Sequence, residues 1–234
     1  MSALPKKWKE TLEDTSARDD LMSLLTALFN FTRDHAARDM ISELTFCLIR
    51  ELSHYEILFE ICHKDGNGDK FLENTRYMAL QILSNILYVR GTGVFLSNAN
   101  RKMAEHFFFA NVTKCIKSLE AGPAGIREID VAASVAMMDC LNNYMVDELF
   151  LAYSFVSVGA DITEHIRTLF EHCCRLLVAF DDLSNSLKKQ SLQLLDKTCH
   201  AIRVVTQDST LVLNCFPTLV KVFALFFDNE AVFT

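Results

Sequence analysis

Cysteine beside histidine is a pairing that thiol catalysis and zinc binding both use, and this chain offers it three times: Cys62-His63, His172-Cys173-Cys174 and Cys199-His200. A neighbouring imidazole can turn a thiol into a nucleophile. Structural zinc sites draw on C-x₂₋₄-C or H-x₃₋₅-H spacing, and neither occurs here. His165 and His172 stand seven apart, two turns from each other on one helix. The spacing favours packing over chemistry, because cysteine is among the most buried residue types; an enzyme would need folding to bring a Cys and a His together in a pocket. Asp65-Gly-Asn-Gly-Asp69 imitates the opening of an EF-hand loop. Lys70 then stands where the turn glycine belongs and Arg76 where the bidentate glutamate belongs, so an exposed loop is the better reading. No phosphate-binding glycine loop, nucleophile elbow or H-E-x-x-H pattern is present. Asp19-Asp20 and Asp181-Asp182 suit helix starts, where the macrodipole favours them. No catalytic residue, metal ligand or cofactor is expected.

The elements that would position any site are helices. Only 7 Gly and 3 Pro punctuate 234 residues, against usual frequencies of roughly 7% and 5%, and sheets need turns that favour those residues. The formal net charge is −7, and no run of Lys or Arg exceeds two. Nucleic-acid binding, which rests on neutralised phosphates, is therefore not expected, nor is adhesion to an anionic membrane surface. Leu149 to Ala160, twelve residues without charge, is the apolar stretch worth testing as a membrane span, and it falls short of the roughly 20 that a span needs. The N-terminus has no apolar h-region behind its lysines. Eight cysteines set in apolar helical patterns read as reduced thiols rather than a disulfide scaffold. Cytoplasm or nucleus is the expected compartment.

One helical phrase recurs: Ser23-Leu24-Leu25-Thr26-Ala27-Leu28, Gln81-Ile82-Leu83-Ser84-Asn85-Ile86, Asp139-Cys140-Leu141-Asn142-Asn143-Tyr144 and Gln193-Leu194-Leu195-Asp196-Lys197-Thr198. Leu25, Leu83, Leu141 and Leu195 stand 58, 58 and 54 residues apart. Each unit reads as a long helix around that leucine, a connector, and a second apolar helix; stacked units of this kind bury one another's apolar faces. Residues 1–18 are expected to be a tail or capping helix and 19–234 a single domain. Helices are expected from Asp19, at 38–52, 57–62, 77–89 with Asn74 as the cap, 103–119, 129–145, 148–158, 162–179, 187–205 and about 211–227. Apolar residues still arrive at Thr234, so further units are expected beyond it.

The phrase Ala79-Leu-Gln-Ile-Leu-Ser-Asn-Ile-Leu87 resembles the third helix of an armadillo repeat, and Val135-Ala-Met-Met-Asp-Cys-Leu-Asn-Asn-Tyr-Met145 resembles it again. The Leu195 unit is similar, with Lys197 in place of asparagine. The units are longer than the armadillo period of about 42 residues, and the glycine between first and second helices is mostly missing. The resemblance implies an all-α, armadillo-like or HEAT-like helical-repeat solenoid of about four irregular units. It also implies a groove in which Asn85 and Asn143 hold the backbone of a protein or peptide segment through amides that both donate and accept. Tyr88 and Tyr144 would be aromatic walls and Arg90 an anchor. The alternative is that both asparagines brace neighbouring turns within the stack. Phe107-Phe108-Phe109 cannot all face one way, since each helical step turns about 100°. Either neighbours cover both sides, or a ring such as Phe108 is a docking anchor. The expected function is a non-enzymatic interaction scaffold or adaptor; a regulatory or self-associating domain, homo- or hetero-oligomeric through its Phe-rich faces, is the alternative.

Overall fold

A long helix with one apolar face must find cover, and here the helices carrying the repeated leucine find it on one another. The computed structural model describes residues 15–33, 61–62, 68–90, 98–122, 124–145, 162–179 and 182–205, with 217, 220 and 224 singly. Among the described residues every regular element is helical: α1 (Thr15–Arg33), α2 (Lys70–Arg90), α3 (Asn98–Glu120), α4 (Glu128–Tyr144), α5 (Ile162–Val178) and α6 (Asn185–Val205). The helices expected at 38–52, 148–158 and most of 57–62 and 211–227 lie outside the described residues. The phrase leucines Leu25, Leu83, Leu141 and Leu195, on α1, α2, α4 and α6, are all buried.

These four helices form a row. α1 packs on α2, α2 on α4 and α4 on α6, while α3 lies against α4 and α5, and α5 against α6. Contacts within the row ascend together along both partners. Arg18 pairs with Asp69 at 3.3 Å, Thr26 Oγ1 meets Met78 Sδ at 4.0 Å, and Asn85 Nδ2 donates to Thr32 Oγ1 at 3.2 Å. Between α2 and α4 the same order runs from Arg127 with Glu73 (2.5 Å), through the Cys140 thiol donating to Leu80 O (3.0 Å), to Asn143 with Ser84. Between α4 and α6 it runs from Ser184 donating to Glu128 (3.0 Å) to Lys197 with Asp139 (3.0 Å). The row is therefore parallel throughout. Two adjacent parallel helices cannot be joined by a short turn, which accounts for the long step between phrases. α3 runs the other way to α4, since Phe108 reaches Tyr144 while Cys115 reaches Ser134.

Local chemistry sets the ends. α2 begins at Lys70 rather than near Tyr77, because Asp69 is the cap: its Oδ1 accepts the Phe71 N–H at 2.9 Å. Asn74, expected as that cap, is exposed one turn inside the helix. After α3 the chain turns at Gly122, whose φ of +68° favours glycine. Ser184 caps α6 by accepting the Leu187 N–H at 3.2 Å. α4 occupies the middle, and its composition fits that place. Val131, Ala133, Ser134, Ala136, Met137, Met138 and Cys140 are buried, and from Val131 to Tyr144 only the stripe of Ala132, Val135, Asp139 and Asn143 is half-buried, as a helix with neighbours on several sides requires.

Candidate functional site

The position two residues after each phrase leucine is where the armadillo resemblance puts partner recognition, and in α2, α4 and α6 it does one structural thing. Asn85 Nδ2 donates to Thr32 of α1 at 3.2 Å, Asn143 Nδ2 donates to Ser84 O of α2 at 3.0 Å and to Ser84 Oγ at 3.2 Å, and Lys197 Nζ pairs with Asp139 of α4 at 3.0 Å. Each of these helices thus reaches back to the preceding helix of the row. In the first unit the position is Ala27, exposed on α1. Asn142 adds a tie in the other direction, its Nδ2 donating to Lys197 O at 3.0 Å. The bracing alternative thus describes the amide N–H groups of Asn85 and Asn143; what remains for a partner is the Oδ1 of each half-buried side chain.

The aromatic candidates separate. Tyr88 is 64% exposed at the end of α2, on the same helix face as Asn85 and Gln81. Tyr144 and Phe108 are wholly buried, with ring centroids 4.6 Å apart. Their expected roles as groove wall and docking anchor are corrected accordingly: a ring with no exposed surface gives a partner nothing to touch. The three phenylalanines are covered from two sides. Phe107 and Phe108 are both wholly buried, Phe108 against Tyr144 of α4, and Phe109 packs against His165 of α5 with ring centroids 4.4 Å apart. The side chain of Arg90 lies outside the described residues.

The thiols lie in the core. Cys62, Cys115, Cys140, Cys173 and Cys174 are buried as thiols, not as disulfides. Burial pushes the Cys62 thiol up to about 12 against the opposing charges of Arg76 and Lys114, and raises Cys115, Cys140 and Cys173 as well. A thiol held protonated in this way is a poor nucleophile and a poor ligand. Among the described residues no group of three or more His, Cys, Asp or Glu side chains is placed to hold a metal ion, and no helix is long and apolar enough to cross a membrane.

Sequence reasoning missed a polar cavity of about 420 Å³ where α2, α3 and the start of α4 converge, lined by Arg76, Lys114, Lys117 and Arg127 among others. These residues are scattered over some fifty positions, so no linear pattern announces them. The nearest signal was the misfit already noted, a cation at Arg76 in place of a calcium ligand. Comparison of the chain with protein-family models, with curated proteins and with solved structures finds no match.

Proposed function

We propose that this chain is an irregular armadillo-like helical-repeat solenoid acting inside the cell as a non-enzymatic scaffold, which binds a protein or peptide segment on the outer face of its parallel helix row. The observation that carries the reading is the row itself: four phrase helices in sequence order, all in one direction, three of them tied back to the preceding helix from the same place in the phrase. Repetition of one helix orientation generates an extended surface on which successive helices offer equivalent positions. On that surface Tyr88 supplies exposed aromatic area and the Oδ1 atoms of Asn85 and Asn143 remain as acceptors. An exposed tyrosine of this kind is a common anchor in interfaces.

Site-specific cross-linking tests it. Benzoylphenylalanine placed at Tyr88 should cross-link one defined partner protein in cells, whereas the same probe at Glu171, exposed on α5 outside the row, should not. Equal capture at both positions, or a cross-link to a second copy of the chain alone, would overturn the reading; the second result would favour the self-associating alternative.

A further inference from the structure

We propose that the cavity between α2, α3 and the start of α4 binds a phosphomonoester dianion. Its charges make the case first. Four cationic side chains, Arg76, Lys114, Lys117 and Arg127, and two carboxylates, Glu73 and Asp130, line it. That local excess of two positive charges stands in a chain whose formal net charge is −7. The two carboxylates do not serve the whole cluster. Arg127 grips Asp130 through Nε at 2.7 Å and Nη2 at 2.8 Å, and Glu73 through Nη1 at 2.5 Å. Those contacts raise Arg127 further above its already high value and tie both acids to one guanidinium.

Arg76 is left differently. Its one polar partner among the described residues is the neutral carboxamide of Asn111, whose Oδ1 accepts from Nη2 at the long distance of 3.5 Å. Its Nε is buried with no hydrogen-bond partner among the described residues. Burying an arginine donor without an acceptor is costly, and a guanidinium presents five donors in a fork that matches a phosphate. Asn111 is itself held, wholly buried, by donating Nδ2 to Phe107 O at 2.9 Å. Arg76 is therefore backed by a fixed group. Lys117, on the exposed rim one helical turn beyond Lys114, adds charge where a ligand would enter. The 420 Å³ cavity exceeds the volume of a phosphate group, leaving room for what carries it. This site is independent of the row face and stands or falls separately from it.

The phosphomonoester could be a free metabolite or a phosphorylated side chain, and titration calorimetry on the whole chain separates them. The probes are glycerol 3-phosphate and the capped tripeptide Gly-phosphoserine-Gly, with unphosphorylated tripeptide as the blank. Saturable binding of either phosphorylated probe, displaced by inorganic phosphate and weakened as NaCl is raised, is expected; the tighter probe names the source. Arg76→Gln should weaken binding by roughly tenfold or more, the scale of one charge-assisted contact. Lys117→Gln, on the exposed rim, leaves folding intact and should weaken it severalfold. Absence of saturable binding by both probes, or affinities unchanged in Lys117→Gln and in folded Arg76→Gln, overturns the proposal.

Discussion

Replacing Phe108 with alanine distinguishes a packing ring from a docking ring. The side chain has no exposed surface, meets Phe107 edge-on with centroids 5.4 Å apart, and lies 4.6 Å from Tyr144. Truncation forfeits the transfer free energy of a buried ring, about 1.5–3 kcal/mol. It also removes two aromatic contacts of roughly 0.5–1.5 kcal/mol each, and leaves a cavity that the surrounding helices close only in part. These contributions overlap, and together they predict a loss of about 3–5 kcal/mol, the usual range for a wholly buried Phe→Ala. Phe108→Leu keeps most of the volume and should lose about 1.5 kcal/mol. Urea unfolding followed by far-ultraviolet circular dichroism measures both, with an unchanged m-value required for the comparison. Leu24→Ser, at a side chain 57% exposed on α1, serves as the control and should stay within about 0.5 kcal/mol of the parent. A Phe108→Ala loss below about 1 kcal/mol would refute the reasoning, as would equal effects of alanine and leucine.

Asn85→Ala and Asn143→Ala should each lower stability by about 1 kcal/mol. An unchanged urea midpoint in either variant would deny that tie. Burial raises the Cys62 thiol from 9.0 to about 12, so its contribution to stability is fully present below pH 9 and is lost as the pH rises from 9 to 12. Unfolding titrations at several alkaline pH values should show that decline, with Cys115, Cys140 and Cys173 adding to it in the same direction. Gly122→Ala should cost about 1–2 kcal/mol through its left-handed backbone alone, because an added Cβ meets nothing within 4 Å; a thermal melt unchanged from the parent would contradict this.

Spacing made the phrase helices legible, because a leucine that must be buried on each helix of the row leaves a mark every fifty-odd residues whatever the connectors do. Leu25, Leu83, Leu141 and Leu195 are buried on four successive members of the row. The start of α2 was misread for a physical reason: a run of Asp, Gly and Asn looks like loop throughout, and nothing local shows that its last aspartate, Asp69, already accepts from the helix. The asparagines were ambiguous because Asn85 and Asn143 sit at the margin between the packed and outer faces, where one amide can turn to a neighbour or to a partner. Phe108 was ambiguous because a single helix cannot reveal how many others surround it. The cavity around Arg76 was illegible, since its charges come from three helices and only packing brings them together.

The parallel row also dictates how the chain can acquire its shape. The hydrogen bonds between neighbouring row helices join residues 52 to 60 positions apart: Thr26 with Met78, Thr32 with Asn85, Leu80 with Cys140, Ser84 with Asn143, Asn142 with Lys197. Closing a loop of that length forfeits on the order of 4 kcal/mol of chain entropy before any contact is made. The same toll recurs at every step, and no nearer pairing within the row offers a cheaper beginning. Assembly should therefore begin at the sequence-adjacent pairs α3–α4 and α5–α6, which pack together across short connections, and the row contacts, being distant in sequence, should form later. Once one pair has formed, the next helix docks on a finished face, so growth along the row should outpace its start.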